Sequence, residues 1–392
     1  MTGGLRSGAP EKPVEGTPGC LRLIADDLTG ALDAAVQFVR PAAPIDVFWR
    51  PTAATGSVAI DAGTRELDAE TAARSVADQV AAFSARSDAC HFVKLDSLLR
   101  GHAATEIRAW HEAMAFTHCL VAPAFPLQRR VTRGGHQYYR DGDTWRPTAC
   151  DLAAELRRAG FAVTLCRPGE SAPPGLSLWN AETDADLRAV AAAGRAVAGP
   201  VLWCGSGGLA GALGSGRSAA AAQGALPRPL LGLFGTDHPV TVGQLAACEA
   251  PVLSLSDGGA ASATRIERQL AAEGVALAQV ALPEGTDRAD AARCIDREFA
   301  ALLGRLASPA TLLVSGGETL RAVCVALAAD HLELVGQRLP GVPRSTLRGG
   351  RFDGVCVVSK SGAFGTDDTL RRLLAPRFTS APGFTPAQGI PT

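Results

Sequence analysis

The stretch LRLIADDLTGALD at residues 21–33 decides the fold of this chain. It opens with a short, mostly apolar run from Leu21 to Ala25, which has the length of a buried strand. Two acidic residues and a Gly-containing turn follow, and the chain then continues with the spacing of a helix. This order predicts a strand, a polar turn and a helix, the unit from which parallel sheets are built.

The same pattern recurs along the chain and predicts an α/β fold with largely parallel sheets flanked by helices. The strand candidates are His91 to Lys94, Val201 to Cys204, Leu230 to Phe234, Leu312 to Val314 and Val355 to Val358. A polar or glycine-rich turn follows each of them. Ligands bind beyond the carboxyl ends of parallel strands, so we expect these turns to carry the functional residues.

The length of 392 residues predicts two domains with a ligand cleft between them, because single hydrophobic cores rarely grow so large. Residues 1–19 and 381–392 are expected to be tails, the first of them disordered. The run from Gly214 to Pro229 consists mainly of Ala, Gly, Ser and Pro and is typical of a linker. We therefore expect domains at residues 20–220 and 228–380.

Composition excludes several classes of partner. The formal net charge is -1, and no basic block is present that would bind nucleic acid or an anionic membrane. Residues 1–19 lack the apolar core of a secretory signal, and no apolar run reaches the roughly 20 residues that span a bilayer. Ten scattered cysteines without a Cys-x-x-Cys pair favour free thiols in a reducing compartment. These features predict a cytoplasmic protein.

Asp26 and Asp27 follow the first strand as a pair of carboxylates. They can accept a proton from a substrate hydroxyl or hold a metal ion. The alternative is that they only stabilise the start of the next helix, where the hydroxyl of Thr29 can cap the first turn. The presence of Asp33 one turn later favours a functional role.

Lys94, Asp96 and Arg100 form a second polar cluster at the end of a strand. Such a set can bind a small carboxylate, with the arginine in a bidentate contact and the lysine as a point charge. The alternative is an ordinary surface ion pair. Lys94 is one of only three lysines among 38 basic residues, which favours function.

Glycine-rich turns follow three strands in the second half of the sequence. Residues 315–319 read SGGET and residues 360–365 read KSGAFG, and backbone amides in such turns can bind phosphate at a helix start. Residues 205–210 read GSGGLA, a loose dinucleotide fingerprint that lacks the acidic residue expected about 20 positions later. A Walker A sequence is absent from the chain, so a nucleotide site must be of another type.

Four motifs together make residues 20–378 similar to the four-carbon acid sugar kinases, which phosphorylate tetronates and oxo-tetronates with ATP. The motifs are ADDLTGA at residues 25–31 with Asp33, KLDSLLRG at 94–101, SGGET at 315–319 and KSGAFG at 360–365. Supporting matches are DAGTR at 61–65, APAFP at 122–126 and the stretch from Arg130 to Tyr138.

The resemblance implies a sugar-acid-binding domain at residues 20–220 and a nucleotide-binding domain at 228–380, with ATP and Mg²⁺ as cofactors. It implies Asp26 or Asp27 as the catalytic base, and a small-molecule sugar acid as the partner of a chain that can form a homo-oligomer. The substrate-binding residues it implies are Arg65, Lys94, Asp96 and Arg100. The nucleotide-binding residues it implies are Thr236, Gly316, Gly317, Glu318, Thr319 and Gly362.

Two departures from the family pattern keep alternatives open. Leu98 stands where the family usually has Thr, and Thr236 stands where it usually has Ser. A hydroxyl lost beside the substrate cluster can change which acid is accepted. The chain can instead be a sugar-acid sensor or a paralogue without transfer activity. The fingerprint at residues 205–210 allows a nicotinamide-dependent dehydrogenase as a further alternative.

Overall fold

A computed structural model describes residues 20–53, 55–83, 89–214, 224–235, 238–248, 250–283 and 285–375. The predicted tails at residues 1–19 and 381–392, and most of the predicted linker, lie outside these ranges. The fold is α/β, as the sequence predicts. In the described part of the chain, no helix is both long enough and apolar enough to cross a bilayer. All ten cysteines carry free thiols, as expected.

Eighteen strands run along the described chain. They are β1 (Leu21–Ala25), β2 (Ile45–Phe48), β3 (Val58–Asp61), β4 (Cys90–Lys94), β5 (His118–Ala122), β6 (Arg130–Arg133), β7 (His136–Asp141), β8 (Thr144–Pro147), β9 (Val163–Cys166), β10 (Gly175–Trp179), β11 (Val201–Gly205), β12 (Leu230–Phe234), β13 (Val252–Leu255), β14 (Val275–Val280), β15 (Thr311–Ser315), β16 (His331–Leu339), β17 (Val342–Arg348) and β18 (Cys356–Lys360).

Eleven α-helices connect and cover the described strands. They are α1 (Leu28–Ala35), α2 (Ala69–Ala82), α3 (Ala103–Ala113), α4 (Leu152–Arg158), α5 (Asp184–Arg195), α6 (Gly207–Gly214), α7 (Pro239–Ala246), α8 (Ala260–Glu273), α9 (Arg288–Leu303), α10 (Gly317–Ala326) and α11 (Thr369–Leu374). Two short 3₁₀ turns occur at Val36–Phe38 and Pro126–Gln128.

Fifteen strands form one sheet in the order β13-β14-β12-β15-β18-β17-β16-β2-β3-β1-β4-β11-β5-β10-β9. In sheet order, neighbouring strands of the group β2-β3-β1-β4-β11-β5-β10-β9 pair in parallel. Neighbouring strands of the group β13-β14-β12-β15-β18 also pair in parallel. The antiparallel pair β16 and β17 lies between the two groups, and β16 pairs with β2 of the first half. The two predicted parallel sheets therefore join edge to edge. Strands β6, β7 and β8 form a separate small sheet.

The carboxyl ends of the two groups of parallel strands, including those of β1 and β15, can meet because the sheet is twisted. Three antiparallel pairings lie between β2 and β18, so the parallel strands of the second half are reversed relative to the first. Neighbouring strands rotate by about 20–25°, and the six steps from β1 to β15 accumulate about 120–150°. This rotation largely offsets the reversal, so the turns after β1 and after β15 can face each other.

The central strands are apolar because both faces of the sheet are covered. All five residues of β1, β4, β5, β12, β15 and β18 are buried. Helix α1 is short and almost wholly buried, which explains its run of Leu and Ala. Such strands read as continuous hydrophobic runs, and this is why the sequence identified them. Polar side chains concentrate where these strands end.

Candidate functional site

The turn after β1 places Asp27 at the start of α1. Its side chain accepts a hydrogen bond from the backbone N–H of Gly30 at 2.6 Å, and the hydroxyl of Thr29 donates to its Oδ2 at 3.1 Å. Asp27 is therefore the N-cap, a role that the alternative interpretation gave to the acidic pair, and the predicted capping by Thr29 was wrong. A residue in extended conformation before the helix can point its oxygen at the free amides, and here Asp27 holds that position.

Arg65, which follows β3, contacts three carboxylates from the ends of two other strands, β1 and β4. Its guanidinium donates to both oxygens of Asp26, at 2.7 Å and 2.9 Å, and to Asp27 at 2.5 Å. It also lies 3.6 Å from Asp96. Burial raises the pKa of Asp26, and the nearby guanidinium opposes that rise. Arg65 thus neutralises the cluster and fixes the orientation of both candidate catalytic carboxylates.

Asp96 and Arg100 form an ion pair with each other, so the charge of Arg100 is already balanced by a carboxylate of the protein. The guanidinium of Arg100 makes a bidentate contact with Asp96, at 2.9 Å and 2.8 Å. Burial alone would raise the pKa of Asp96, but hydrogen bonds from Arg100 and the charges of Arg65 and Arg100 hold that pKa well below its usual range. Lys94 is buried nearby and donates to the carbonyl of Leu95 at 2.9 Å. The structure therefore brings these predicted residues together with Arg65.

A buried carboxyl supports Arg65 from behind. Glu106 of α3 forms a short hydrogen bond with the hydroxyl of Thr64, the residue before Arg65. Burial, reinforced by the charge of Asp26, raises the pKa of Glu106 to about 8. The group is therefore protonated near neutral pH and holds the loop without adding a negative charge. Sequence reasoning missed it because a helical Glu resembles an ordinary surface residue.

Arg130 approaches the same cluster from the start of β6. Its guanidinium donates to the hydroxyl of Ser97. The side-chain amide of Gln137 donates to the carbonyls of Ser97 and Pro123, at 2.9 Å and 3.2 Å. The guanidinium interacts electrostatically with Asp96 and Asp33, which indicates that it lies beside the carboxylate cluster. A signal existed in the sequence, because Arg130 begins one of the stretches that carry the family resemblance.

A second site lies in the other half, around Lys360 at the end of β18. Its ammonium is buried and donates to the hydroxyls of Thr241 and Ser315, at 2.9 Å and 3.1 Å, and to the carbonyl of Ser361 at 3.0 Å. Among the described residues, its hydrogen-bond partners are all neutral. Burial lowers the pKa of Lys360 to about 8. The hydroxyl of Thr241 also donates to the carbonyl of Gly362 at 2.7 Å.

The glycine turn after β15 packs against the turns around Lys360. Gly316 has a φ of 105°, a conformation that favours glycine, and its N–H donates to the carbonyl of Lys360 at 3.0 Å. Helix α10 begins at Gly317, so its first amides face this turn. Thr319 is buried against Gly235, whereas the side chain of Glu318 is exposed. Thr236 lies outside the described residues.

The two sites meet where α1 and α10 begin. A Cβ added to Gly317 would lie 3.0 Å from the hydroxyl of Thr29 and 3.1 Å from Oδ2 of Asp27. A side chain at this position would push the Thr29 hydroxyl or the Asp27 carboxylate aside by a few tenths of an ångström. The first amides of α10 and the carboxylate of Asp27 therefore border one small space.

An ion pair joins the halves beside this space. Arg321 of α10 lies 3.2 Å from Asp61, which ends β3, and also donates to the carbonyl of Trp49 at 3.5 Å. The same guanidinium lies over Gly63, which has a φ of 64°, and leaves no room there for a Cβ. Burial raises the pKa of Asp61 to about 7, and the charge of Arg321 opposes the rise. Asp61 begins the DAGTR stretch that supports the family resemblance, but no sequence signal identified Arg321 as its partner.

Close packing accounts for the glycines of the loose dinucleotide fingerprint. A Cβ added to Gly208 would lie 2.6 Å from the carbonyl oxygen of Ala124, and one added to Gly207 would lie 2.9 Å from the ring of Phe125. Gly207 also lies against the carboxylate of Asp33. The turn after β11 thus forms a wall of the carboxylate cluster.

Fold and sites define an α/β protein with a charged cluster in the first half and a glycine-lined turn in the second. A model described as a sugar-binding N-terminal domain matches residues 21–172, and one described as a nucleotide-binding C-terminal domain matches residues 233–370. The D-threonate kinase of Bordetella bronchiseptica is 31% identical over 401 residues, which cover 89% of this chain and 95% of that protein. The chain belongs to the four-carbon acid sugar kinase family.

Other relatives agree with this assignment. The D-threonate kinase of Cupriavidus necator is 30% identical over 411 residues, which cover 89% of this chain and 95% of the relative. The 3-oxo-tetronate kinase of Pseudomonas savastanoi pv. phaseolicola is 28% identical over 418 residues, which cover 90% and 96%. A crystal structure of a Haemophilus influenzae protein matches with a TM-score of 0.63 at 17% identity, covering 88% of this chain and 97% of that one. At this identity the structural match supports the fold alone.

Proposed function

We propose that the protein is an ATP-dependent kinase that phosphorylates a hydroxyl of a four-carbon sugar acid, a tetronate or oxo-tetronate, in acid-sugar catabolism in the cytoplasm. Residues up to about 220 bind the acid, and residues 228–380 bind the nucleotide. The relatives named D-threonate kinase and 3-oxo-tetronate kinase support this substrate class. Their names differ in the acid, so both acids are candidates.

The observation that carries the proposal is the contact between Gly317 and the Asp27–Thr29 turn. Phosphoryl transfer requires the donor phosphate and the acceptor hydroxyl in line and close together. The amides at the start of α10 suit a phosphate, and the carboxylate of Asp27 suits a hydroxyl. Their shared space supports transfer between ligands bound to the two halves.

In the proposed mechanism, Asp27 accepts the proton of the attacking hydroxyl. Its side chain is 18% exposed, against 3% for Asp26, and it is the carboxylate that faces Gly317. Asp26 is held by two hydrogen bonds from Arg65 and acts by orienting that guanidinium. Lys94, Asp96 and Arg100 complete the polar wall on which the acid is positioned. Positioning and charge neutralisation supply most of the catalysis in such transfers.

The nucleotide is proposed to lie over Gly316 and Gly317, with Glu318, Thr319, Gly362 and Thr236 around it. The buried ammonium of Lys360 provides positive charge beneath these turns. In this proposal the nucleotide phosphates would hold Mg²⁺, with the carboxylate of Asp27 as a candidate ligand from the chain. The ion would supply charge neutralisation for the transfer.

The test is nucleotide consumption with D- and L-threonate, erythronate and their oxo forms, with the product mass confirmed. Activity that requires Mg²⁺ and one of these acids supports the proposal. Asp27→Asn should lower kcat by about 100-fold or more, because general-base contributions are typically about 10²–10⁴-fold. The same variant should leave ADP affinity within a few-fold of the wild type. Equal loss of turnover and ADP binding would contradict the role of Asp27, and failure of every acid would contradict the substrate class.

A further inference from the structure

We propose that Arg130 and Ser97 form the subsite that binds the carboxylate of the acid substrate. This inference rests on the proposed function and names two residues that the sequence did not single out as ligand contacts. The inference follows from a comparison of the cations in the cluster, most of which already interact with carboxylates of the protein. It also moves recognition of the acid group away from Arg65 and Arg100.

The other arginines of the cluster are already bound to carboxylates. Arg65 uses its guanidinium on Asp26 and Asp27. Arg100 makes a bidentate pair with Asp96. A substrate carboxylate at either arginine would compete with a carboxylate that is already paired with it.

Lys94 is also poorly placed to recognise a carboxylate by itself. Its ammonium interacts electrostatically with the carboxylates of Asp26, Asp33 and Asp96. One of its three N–H donors is occupied by the carbonyl of Leu95. Lys94 therefore balances the negative charge of the cluster.

Arg130 differs from these three cations. Among the described residues, the hydrogen-bond partner of its guanidinium is the neutral hydroxyl of Ser97. A guanidinium has five N–H donors in a planar fork that matches a carboxylate, so most of this fork is available to a ligand. The charges of Asp33 and Asp96 act on Arg130 without a hydrogen bond in the described structure.

The surroundings hold Arg130 in place. Its backbone N–H and carbonyl pair with Phe125, at 3.1 Å and 2.8 Å, which fixes the start of β6. Ser97 is fixed in turn by the hydrogen bond from Gln137 to its carbonyl. Thr132 donates to Gln137 at 2.7 Å and orients that amide. A cation held in this way loses little conformational entropy when it binds a ligand.

The position of the subsite suits a short acid. Ser97 follows Asp96 in the chain, and Phe125, which pairs with Arg130, packs against the glycine wall after β11. A carboxylate at Arg130 would leave the hydroxyls of the same molecule to face the other side of the cluster, where Asp27 lies. The acid group and the reacting hydroxyl would thus be recognised by different residues of the cluster.

The test compares D-threonate with D-threonamide, its neutral analogue, in the wild type and in Arg130→Met. The wild type should prefer the acid, and Arg130→Met should reduce that preference by about 10- to 100-fold, the range expected for a lost hydrogen bond to a charged group. Arg133→Met is the matched control on the same strand, because the guanidinium of Arg133 pairs with Glu182 at 2.7 Å. Guanidinium ions added to Arg130→Ala should restore part of the turnover.

An unchanged preference in Arg130→Met would overturn the inference, and equal effects of Arg130→Met and Arg133→Met would do the same. Thermal stabilisation by ADP shows that each variant is folded, and Arg130→Lys, which keeps the charge but loses the fork, should give an intermediate preference. If the wild type turns over none of the acids, the proposed function fails. Calorimetric binding of D-threonate and D-threonamide to wild type and variant then still decides the role of Arg130.

Discussion

Replacing Lys360 by Met should remove a pH-dependent cost to the stability of the free protein and should weaken its nucleotide binding. The ammonium of Lys360 is buried, and its described hydrogen-bond partners are the neutral oxygens of Thr241, Ser315 and Ser361. Such a charge costs stability unless a negative ligand is bound nearby. Under the proposed function, the phosphates of the nucleotide supply that negative charge.

The magnitude follows from the pKa. Burial lowers the pKa of Lys360 from 10.5 to about 8. A difference of this size between folded and unfolded states lowers the free energy of unfolding by about 3 kcal/mol at neutral pH. Methionine fills similar space but loses hydrogen bonds worth about 1 kcal/mol each. The three lost bonds together cost about 3 kcal/mol and offset most of the gain from removing the buried charge, so Lys360→Met should be about as stable as the wild type at pH 7.

The dependence on pH has a definite sign. Between pH 8 and pH 10.5 the unfolded chain keeps the lysine proton that the folded protein releases, so wild-type stability rises with pH in this window. The stability of Lys360→Met relative to the wild type should therefore be highest below pH 8 and should fall by about 3 kcal/mol toward pH 10.5. Nucleotide affinity should show the opposite sign, because only the protonated lysine attracts phosphate. Wild-type ADP affinity should fall above pH 8, and that of the variant should not.

The assay is thermal unfolding with and without ADP and Mg²⁺ at pH 7 and pH 9.5. Arg268→Met is the control, because it removes an exposed charge from α8 in the same half of the protein. A variant several kcal/mol less stable than the wild type at pH 7 would refute the argument, because the buried charge would then be stabilising. So would a stability difference that stays constant between the two pH values. Unchanged ADP affinity in the variant would remove Lys360 from the nucleotide site.

Two further predictions concern the contacts behind the reacting groups. Arg321 and Asp61 form an ion pair at 3.2 Å that joins the two halves, so we expect the affinity for the acid to depend on whether nucleotide is bound. Arg321→Met and Asp61→Asn should each reduce this dependence. Calorimetry of one ligand with the other saturating measures it. The double variant should be no worse than either single variant, and additive losses would contradict the coupling. Glu106→Gln should stabilise the protein increasingly from pH 5 to pH 8, because the pKa of Glu106 is raised to about 8 and wild-type stability falls as pH rises through that range. Equal thermal midpoint differences at pH 5 and pH 8 would contradict the neutral state of Glu106.

Local sequence was sufficient to predict the strands and the turns that carry the site. Leu21–Ala25 and Leu230–Phe234 were predicted with the bounds that the structure has. Parallel strands buried on both faces are continuous apolar runs, and polar residues at their ends are therefore conspicuous. The capping residue of α1 was wrong by two positions, because Asp and Thr share the same capping chemistry and only backbone conformation distinguishes them.

Sequence determined that this is an α/β protein with a carboxylate cluster in one half and glycine turns in the other. Tertiary structure decided that the two meet, because strand order and the twist of six strand-to-strand steps allow Asp27 and Gly317 to come together. It also decided which cations are neutralised, since Arg65 and Arg100 bind carboxylates whereas Arg130 binds a hydroxyl. Local patterns encode elements and their polarity. The pairing of charges depends on distances between residues far apart in the chain, and only the folded protein sets those distances.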